Sequence, residues 1–540
     1  MKNRAAALEA IRGHSFDLCV IGGGATGLGC ALDATLRGLK TVLIDAGDLV
    51  AATSSASTKL VHGGVRYLQQ AVTEFDFGQY AMVKKALHER TGMLKNAPYL
   101  AHPLDILVPC ASAWELFYFG FGMKMYDWLA GAGSLSRSRV LSKEESLRRM
   151  PTLRKSGLAG TVSYSDGQFD DARYGLALAQ SVAEQGGEVL NYAKLTRFDK
   201  DAAGRLTAAT VLDRISGENF TLSARIFLNC AGTRADQIRH LASPAAPPRL
   251  RFSKGSHIVL PASSLNSQSA LLVPKTSDGR VVFIIPWFGS TLVGTTDQEV
   301  ELDAPLHVTP EEADYLLGQV NRHLDLSLTP SDIVAAFAGV RPLVAKGDAK
   351  RTAKLIRDHE IESDPLSGLI SVLGGKWTTY RAMAEDGIDQ VQRALNGKIT
   401  PCRTHDFPLA GSQGYRPDFS SDLARHLSEK FGMQAGLILE LAKTEPELGQ
   451  AIAAGSPALR AELVYGVRFE MAQTIEDLLA RRVGLQFHSW RLAAEAAPVA
   501  GAVLARELGW SEERTRQAVA DYLDRLAGLW RNIGAEEKQQ

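Results

Sequence analysis

The stretch that decides the fold of this chain runs from Phe16 to Tyr67. It reads FDLCVIGGGATGLGCALDATLRGLKTVLIDAGDLVAATSSASTKLVHGGVRY. The apolar run FDLCVI leads into Gly22, Gly24 and Gly27, which are spaced as G-x-G-x-x-G. A helix-length segment and a second apolar run, TVLI, follow. This order predicts a strand, a glycine turn, a helix and a second strand.

The three glycines and the acid after the second run have distinct physical uses in such a unit. Gly22 permits a tight turn, Gly24 lets the backbone approach a pyrophosphate, and Gly27 lets the helix pack closely on the strand. The start of the helix then offers unpaired N–H groups to phosphate. Asp45 comes about 20 residues on, where a carboxylate accepts hydrogen bonds from a ribose diol. Glycine turns also serve packing alone, but the strand, helix and acid together favour a dinucleotide site.

The residues after Asp45 distinguish a flavin from a nicotinamide nucleotide. A nicotinamide domain continues with another strand and helix within about 30 residues, whereas this chain enters ATSSASTKLVHGGVRY. Hydroxyls there can donate to phosphate or ribitol oxygens, while Gly63 and Gly64 leave room for a flat ring. The hydroxyl side chains are Thr53, Ser54, Ser55 and Ser57. A solvated turn is the competing interpretation, because segments of this composition are common in loops.

A second glycine turn is predicted far along the chain. SVLGGKWTTYRAMAEDGIDQV reads as a strand, then Gly374, Gly375 and Lys376, then a helix. A glycine turn that feeds a helix N-terminus is suited to holding the pyrimidine oxygens of a flavin. Between the two turns, the strand-like run IFLNCAG ends at Gly232, where the backbone is again expected to come near the cofactor.

Five segments together resemble one family. They are ATSSASTKLVHGGVRYLQ, KGSHIV, GTTD, GVRPL and GGKWTTYR, and they are similar to the FAD-dependent (aerobic, respiratory) glycerol-3-phosphate dehydrogenases, within the amino-acid-oxidase-like flavoproteins. The resemblance covers about residues 16–530 and is loose over 75–163. Two places depart from the family pattern: Thr233 and Arg234 stand where a tryptophan is typical, and His359 stands where a tyrosine is.

The resemblance implies an α/β fold with three parts. A Rossmann-type FAD-binding domain is interleaved with a substrate or cap domain that has a mixed or antiparallel sheet, and an all-α domain follows. The implied FAD-binding segments are residues 14–75, 160–240 and 335–400. The substrate domain takes residues 76–159 and 241–334, and the C-terminal helical domain takes 401–530.

The resemblance also implies the residues of the site. An arginine fork makes paired, charge-assisted hydrogen bonds to phosphate and keeps its charge, and the family's motifs place such groups around the substrate. The implied substrate-binding residues are Arg66, Tyr67, Lys254, Arg341, Arg357, Lys376 and Thr378. The implied cofactor-binding residues are Gly22, Gly24, Ala25, Thr26, Gly27, Asp45, Thr53, Ser54, Ser55, Ser57, Lys59, His62, Gly63, Gly64, Ala231, Gly232, Gly375, Lys376, Trp377 and Thr378.

The implied reaction is the oxidation of sn-glycerol 3-phosphate to dihydroxyacetone phosphate by hydride transfer to FAD. Arg66, Arg341 and Lys376 are expected to take part in catalysis, because positive side chains near the flavin stabilise developing negative charge. His62 is the candidate base, since imidazole titrates near the working pH and His62 precedes Gly63 in the flavin-facing loop. A histidine that only orients the ring or the loop is the competing interpretation.

Three other functions remain open from the sequence. A glycerol-3-phosphate oxidase would carry out the same oxidation with oxygen as the electron acceptor. An amine or amino-acid oxidase would need a carboxylate clamp and an apolar amine pocket, whereas the additional Arg357 and Lys376 favour phosphate. A non-enzymatic flavoprotein would bind FAD as a membrane-associated module.

Composition argues against several classes of protein. The 540 residues carry 60 basic and 60 acidic side chains, so no global field favours nucleic acid. The cysteines at 19, 30, 110, 230 and 402 have no metal-ligand spacing; we expect no metal, and cysteines in apolar runs are typical of core thiols in a reducing compartment. The N-terminus lacks the apolar length of a signal peptide, and no run of 18 uncharged apolar residues is present.

The segment WELFYFGFGMKMYDWLAGAG, which begins at Trp114, is the most aromatic in the chain. It predicts either a helix that lies in a membrane interface, with Lys124 extending to the surface, or a buried cap helix. The interfacial anchors would be Trp114, Phe117, Phe121, Tyr126 and Trp128. The resemblance implies electron transfer to a membrane quinone, a cytoplasmic protein peripheral on the inner face of the cytoplasmic membrane, and a homodimer as one possible assembly.

Three further groups of polar residues have structural interpretations. Asp170 and Asp171 stand at a predicted helix start, where capping is favoured over metal or acid–base chemistry. His257 alternates with apolar neighbours and is expected to be a sheet histidine. Several charged residues after 401 resemble the family's C-terminal domain, although a solvated helix face explains them equally well; they are Glu470, Thr474, Asp477, Arg481 and Arg482.

Overall fold

The computed structural model describes residues 1–64, 77–274, 276, 279–345 and 359–535. Within this part of the chain the strands form two sheets, and the residues after 401 are mainly helical. The predicted α/β fold with a C-terminal helical domain is confirmed. The sequence also predicts a disordered tail, GAEEKQQ, over residues 534–540, of which residues 536–540 lie outside the described residues.

The first sheet is built around the opening βαβ unit. Its elements are α1 (Arg4–Ile11), β1 (Ser15–Ile21), α2 (Ala25–Leu36) and β2 (Thr41–Ile44). β1 and β2 are parallel, with Ile21 opposite Ile44. The last four residues of β1 and all of β2 are buried, as is usual for parallel strands that helices cover on both faces.

Six further strands complete the first sheet. They are β7 (Glu188–Leu190), β8 (Ala193–Lys200), β9 (Leu206–Asp213), β10 (Asn219–Asn229), β17 (His359–Ser363) and β18 (Ile370–Gly374). The order is β17-β18-β10-β1-β2-β7, and a β8–β9 hairpin extends the first half of β10. From β18 to β7 the neighbours are parallel. The covering helices are α6 (Asp171–Glu184), α7 (Ala235–Ala242) and α9 (Tyr380–Asn396).

The second sheet is mainly antiparallel. Its strands are β3 (Leu60–Val61), β4 (Ala101–Cys110), β5 (Arg139–Ser142), β6 (Gly160–Phe169), β11 (Leu250–Pro261), β12 (Ala270–Val273), β13 (Val282–Trp287), β14 (Ser290–Gly294), β15 (Gln298–Val300) and β16 (Ala335–Val344). The order is β15-β11-β14-β13-β12-β4-β6-β3, with β16 on β11 and β5 on β6. The helices between these strands are α3 (Phe77–Asn96), α4 (Ala113–Ala130), α5 (Lys143–Arg149) and α8 (Pro310–His323).

The C-terminal helices pack against the second sheet. They are α10 (Asp422–Phe431), α11 (Ala435–Thr444), α12 (Arg460–Glu470), α13 (Leu485–His488), α14 (Trp490–Leu508) and α15 (Glu512–Asn532), with a π-helical turn at Asp477–Arg482. One continuous apolar core joins these helices to the sheet. At the contact, the rings of Phe337 on β16 and Phe487 on α13 lie 5.0 Å apart in an edge-to-face arrangement.

The two sheets share chain segments. β6 and β16 lie inside residues 160–240 and 335–400, which the sequence assigns to the FAD-binding domain, yet both strands pair in the second sheet. The segments assigned to FAD binding therefore supply strands to both sheets. The domain boundaries themselves stay a prediction.

Candidate active site

The first glycine turn stands at the carboxyl ends of β1 and β10, the edge at which ligands bind in open α/β sheets. Gly22 has a φ of +113°, and a Cβ at Gly27 would lie 1.8 Å from the carbonyl oxygen of Gly22. A Cβ at Gly24 would lie 2.9 Å from Ser54 Oγ. The tight turn and the close packing that the spacing predicts are confirmed, and backbone atoms exclude a side chain at Gly22 and Gly27.

Asp45 follows β2 at the same edge. Its Oδ2 accepts the N–H of Gly23 at 2.6 Å, and its Oδ1 accepts the N–H of Gly47 at 2.7 Å. Burial raises the pKa of this carboxyl, and the two backbone donors oppose the shift. The carboxylate is thereby held beside the glycine turn, where a ribose-binding acid is expected.

Ser54 joins the two glycine turns. Its Oγ accepts the N–H of Ala25, the first residue of α2, at 3.0 Å. Its carbonyl oxygen accepts the indole N–H of Trp377, which follows the second turn, at 2.8 Å. The two turns are more than 300 residues apart in sequence and meet through this one residue, so they belong to a single site.

The second turn has the conformation that its glycines allow. Gly374 and Gly375 have φ values of +74° and +86°, and a Cβ at Gly375 would lie 2.3 Å from Met383 Sδ. Lys376 is extended, and a 3₁₀ turn over Trp377–Thr379 leads into α9. The predicted strand, glycine turn and helix are confirmed, and they place Lys376 at the amino end of a helical segment.

The hydroxyl-rich loop between the sheets is braced by a buried ion pair. Lys59 Nζ donates to Asp171 Oδ1 at 2.5 Å and to the Ser55 carbonyl at 2.7 Å. Ser57 Oγ donates to Asp171 Oδ2 at 2.7 Å, and Thr53 Oγ1 donates to the Val340 carbonyl at 2.6 Å. The polar atoms of these side chains therefore hold the loop in shape, while their predicted contacts with the cofactor stay predictions.

The two adjacent acids at the start of α6 have different partners. Asp170 caps the helix, since its Oδ1 accepts the N–H of Arg173 at 3.0 Å. Asp171 is the partner of Lys59, and both side chains are at most 1% exposed. The capping prediction is correct for Asp170 and wrong for Asp171, because the loop brings a buried ammonium to the second carboxylate.

His62, Gly63 and Gly64 follow β3, which carries the loop from the first sheet to the edge of the second. The two glycines are buried and His62 is half-buried, with its ring centroid 6.3 Å from that of Phe283. The N–H of Gly63 donates to the hydroxyl of Tyr126 at 2.8 Å. The loop is thus held by a helix that the sequence did not connect with it.

Arg341 lies on β16 and faces a polar part of the second sheet. Its Nη1 donates to Ser253 Oγ at 3.3 Å and its Nη2 donates to Thr295 Oγ1 at 3.2 Å. Asp297 Oδ1 is 3.8 Å from Nη1, and 26% of the arginine side chain is exposed. Two neutral hydroxyls and a more distant carboxylate are thus among the groups that surround this guanidinium.

The strand β16, which carries Arg341, runs close to β18, which leads to Lys376. Val344, three residues after Arg341, packs in one small apolar cluster with Leu373, three residues before Lys376. The backbone segments that carry these two predicted cationic residues therefore approach each other. Thr378, in the 3₁₀ turn beyond Lys376, is buried.

His257 and Lys254 lie on opposite faces of β11. His257 is opposite Phe337, and its ring stacks on that phenyl ring at 4.8 Å. Its Nε2 is 3.0 Å from Thr58 Oγ1, which confirms the predicted sheet histidine. Burial holds the pKa of His257 well below its usual value, and Arg341 and Lys59 lower it further.

Lys254 points away from this face. Residues alternate sides along a strand, so Lys254 stands opposite to the side shared by Ser253 and His257. Its Nζ donates to Glu312 Oε2 on α8 at 2.8 Å, and the side chain is 6% exposed. The structure therefore does not bring Lys254 together with Arg341, and a substrate contact for Lys254 stays an untested prediction.

The end of β10 lies against the first glycine turn. The N–H of Cys230 donates to the Ile21 carbonyl at 2.8 Å, and a Cβ at Gly22 would lie 2.5 Å from the Cys230 carbonyl oxygen. Ala231 and Gly232 follow, and Gly232 has a φ of +55°. These residues thus stand at the predicted cofactor edge. Three predicted substrate residues, Arg66, Tyr67 and Arg357, lie outside the described residues.

Comparison with known proteins agrees with this site. A sequence profile described as FAD dependent oxidoreductase matches residues 17–402, and a profile for the C-terminal domain of alpha-glycerophosphate oxidase matches residues 402–515. The mitochondrial glycerol-3-phosphate dehydrogenase of Rattus norvegicus is 40% identical over 539 residues, covering 95% of this chain and 74% of that protein. The chain belongs to the family of FAD-dependent glycerol-3-phosphate dehydrogenases. The corresponding human enzyme is 39% identical over 525 residues, covering 93% of this chain and 72% of that protein.

Solved structures of this enzyme's relatives share its fold. The glycerol-3-phosphate dehydrogenase from Bacillus halodurans, complexed with FAD, has a TM-score of 0.78 and 30% identity, and the match covers 97% of each chain. L-alpha-glycerophosphate oxidase from Mycoplasma pneumoniae has a TM-score of 0.54 and 20% identity, covering 73% of this chain and 98% of that one. FAD is the cofactor of the enzyme.

The chain's own residues fit this cofactor. The first turn, with Asp45 beside it, would present the start of α2 and a carboxylate to a pyrophosphate and a ribose. The second turn would offer Lys376 and the start of a helical segment to the ring system. A Cβ at Gly27 would meet the backbone of Gly22, so the turn packs too closely there for any side chain.

The sequence did not predict that a charged cluster in the C-terminal domain contacts the loop after Asp45. Arg482 and Arg481 bind Asp48, which lies three residues after Asp45. Arg481 also donates to Asp477 Oδ1 at 2.5 Å, and Glu470 accepts a hydrogen bond from the buried Arg173. The interpretation of these charges as a solvated face is wrong, because the four C-terminal side chains are at most 7% exposed. The spacing of residues in the sequence does not indicate a contact between residues that are more than 430 positions apart.

Proposed function

We propose that the enzyme oxidises sn-glycerol 3-phosphate to dihydroxyacetone phosphate. Its relatives named glycerol-3-phosphate dehydrogenase align over more than nine-tenths of the chain. FAD, when bound, supplies the two-electron acceptor that oxidation of a secondary alcohol requires. Family membership decides against the amine-oxidase and non-enzymatic interpretations.

The observation that carries the proposal is the position of Arg341. It stands on the face of the second sheet that also carries His257, beside the strand that leads to Lys376. A phosphate monoester is a dianion that such groups can bind, and a guanidinium does so with paired hydrogen bonds. The same positive charges would stabilise an alkoxide-like substrate during oxidation.

His62 is the proposed base for the C2 hydroxyl. It is half-buried in the loop between the two sheets, and two buried glycines follow it. His257 lies near Arg341, but this residue is 2% exposed and is hydrogen-bonded to Thr58. A ring so enclosed is better suited to holding Thr58 and the loop than to meeting substrate.

A lipid surface is the proposed docking partner of α4. Four aromatic side chains of this helix are between 60% and 73% exposed: Trp114, Phe117, Phe121 and Trp128. At 3.6 residues per turn they share one stripe, and Arg137 and Arg139 are exposed just beyond the helix. Aromatic side chains beside cationic ones suit an interface with anionic lipid.

One detail of the interfacial prediction is wrong. Tyr126, predicted as an anchor, is 2% exposed and lies on the inner side of α4. Lys124 is exposed and donates its Nζ to the Ser138 carbonyl at 2.7 Å, and its role at an interface stays a prediction. The buried-cap alternative is also wrong for the four exposed aromatics. Among the described helices, none has the length and apolar character needed to cross a bilayer.

Membrane quinone is the proposed final electron acceptor, with the enzyme peripheral on the inner face of the cytoplasmic membrane. An interfacial α4 supports this, because a quinone resides in the bilayer that the helix would contact. Oxygen is the second candidate acceptor, since residues 402–515 match a profile named after alpha-glycerophosphate oxidase. A homodimer is also proposed, on the resemblance to the family alone.

Anaerobic titration of the holoenzyme tests the reaction. sn-Glycerol 3-phosphate should bleach the yellow flavin band in proportion to the enzyme present. Glycerol, which lacks the phosphate, and the enantiomer sn-glycerol 1-phosphate are matched controls that should bleach it far less. Retention of the oxidised band with sn-glycerol 3-phosphate would overturn the proposal. Reoxidation by a soluble quinone analogue, compared with oxygen, then identifies the acceptor.

A further inference from the structure

A chain of buried hydrogen bonds runs from α4 to the loop at His62. Tyr126 lies on the side of α4 opposite the exposed aromatics, and its hydroxyl accepts the Gly63 N–H at 2.8 Å. The same hydroxyl lies 2.9 and 3.0 Å from the two carboxylate oxygens of Asp166 on β6, to which it donates. The phenol therefore bridges a backbone donor of the loop and a buried acid of the second sheet.

The acid is itself fixed by an arginine. Asp166 Oδ1 accepts Arg90 Nη1 from α3 at 2.7 Å, and both side chains are 1% exposed. Arg90 Nη2 donates to the carbonyl of Gly133, just beyond the end of α4, at 2.7 Å. Three elements, α3, α4 and β6, thus converge on one hydroxyl. Burial raises the pKa of Tyr126 well above its usual value, and the Asp166 charge adds to the shift, so the phenol keeps the proton that it donates.

The contact at Gly63 leaves little room for movement. A Cβ on this glycine would lie 2.7 Å from Tyr126 Oη and 2.7 Å from Leu87 Cδ2. The Gly63 N–H belongs to the planar peptide that also contains the His62 carbonyl and the His62 Cα. A bond that fixes the N–H therefore fixes the point from which the His62 side chain starts.

We infer that Tyr126 is a positioning residue, which acts through the His62–Gly63 peptide to set where the His62 ring stands. The inference rests on the proposed function, because it takes the loop at 62–64 to face the flavin and His62 to serve the oxidation. Asp166 and Arg90 complete the arrangement by holding the phenol in place.

The substitution Tyr126→Phe tests this with a small change. Phenylalanine keeps the ring, which contacts Tyr164 edge-to-face at 6.0 Å, and removes only the oxygen. Tyr118→Phe is the matched control, because Tyr118 lies on the same helix but is 40% exposed. Both are studied as FAD-loaded full-length enzyme with a soluble dye as acceptor, so that lipid contact does not enter the comparison.

The expected result separates positioning from stability. In Tyr126→Phe, kcat should fall roughly ten- to a hundredfold, as for a misplaced catalytic group, with KM for sn-glycerol 3-phosphate within about twofold because the phosphate site is untouched. FAD content and melting temperature should stay near those of Tyr118→Phe. The visible flavin spectrum without substrate should differ from the wild type, because the loop beside the ring has moved.

Other outcomes have definite meanings. A wild-type kcat and spectrum in Tyr126→Phe would overturn the inference, and so would a fall in kcat matched by lost FAD and a lower melting temperature, which indicates a structural role only. If the wild-type enzyme is not bleached by sn-glycerol 3-phosphate, the proposed function fails. The substrate-free flavin spectrum still tests the loop in that case, since an unchanged spectrum overturns the inference and a changed one supports it.

Discussion

Arg482 donates through Nη2 to Asp48 Oδ1 at 2.9 Å and joins the helical domain to the loop that follows Asp45. Arg481 Nε reaches Asp48 Oδ2 at 2.6 Å, and Asn191 Nδ2 donates to Asp48 Oδ1 at 3.1 Å. Burial alone would raise the pKa of Asp48, but the two guanidinium groups outweigh it and hold the pKa below its usual value. The C-terminal domain therefore holds the loop that follows Asp45 through a buried charge cluster.

Asp48→Asn should weaken FAD retention. The change leaves two buried guanidinium groups without their shared carboxylate, a loss of about 3–5 kcal/mol when one partner of a buried pair is removed. The loop beside Asp45 should loosen, so the fraction of FAD retained on gel filtration and the melting temperature should both fall. Glu445→Gln, which breaks the exposed 2.7 Å pair with Arg506, is the control. Equal FAD retention in the two variants would contradict the prediction.

Arg341→Ala should impair use of substrate while leaving FAD bound. Loss of a charged hydrogen-bonding group to phosphate costs roughly 2–4 kcal/mol, or about 30- to 1,000-fold in kcat/KM. Steady-state kinetics with sn-glycerol 3-phosphate measure the change. Arg251→Ala is the control, since Arg251 lies on the adjacent strand and pairs with Glu299 at 2.5 Å. An unchanged kcat/KM in Arg341→Ala would remove this residue from the site.

The elements that the sequence predicts well are those whose signal is local. The G-x-G-x-x-G turn, its helix and the Gly374–Gly375 turn depend on backbone conformations that glycine permits, and the observed φ values match them. The buried position of His257 in its strand could also be predicted, because this residue alternates with apolar neighbours in the sequence.

The parts that the sequence could not predict depend on contacts between distant segments. Asp48 and Arg482 are 434 residues apart, and charges on a helix have the same pattern whether solvent or another domain covers them. Asp171 follows the capping Asp170, so local rules give both the same role, yet Lys59 reaches only the second. Tyr126 shares a helix with exposed aromatics, and only the packing of α3 and β6 shows that it faces inward.

Replacing the aromatic stripe of α4 should reduce binding to lipid. Full burial of one such side chain contributes about 1.5–3 kcal/mol, so serine at all four exposed positions should lower binding to phosphatidylglycerol-containing vesicles by at least about tenfold. Those positions are Trp114, Phe117, Phe121 and Trp128. Activity with a soluble acceptor should persist, because the four side chains lie at the surface.

A control variant tests whether the stripe itself is responsible for lipid binding. Phe419 and Leu437, in the C-terminal region, are 52% and 50% exposed, so the double change Phe419→Ser and Leu437→Ser removes apolar surface elsewhere. Co-sedimentation with vesicles measures both variants. If the control variant lost as much binding as the α4 variant, or if neither lost any, α4 would not be the lipid-binding face.

His257 should make the enzyme less stable in mild acid. Burial keeps the pKa of its ring well below 6.5 in the folded protein, whereas the unfolded chain takes up the proton near pH 6.5. Below that pH the unfolded state binds more protons, so the free energy of unfolding falls by up to about 1.4 kcal/mol per pH unit until the folded ring is protonated.

The substitution His257→Gln tests this pH dependence. His488 is buried with a lowered pKa as well, so His257→Gln should remove only part of the decrease in stability with falling pH. Melting temperatures between pH 7 and pH 5 measure it, with the exposed His14→Gln as control; equal slopes in the wild type and His257→Gln would show that the ring is protonated in the folded enzyme.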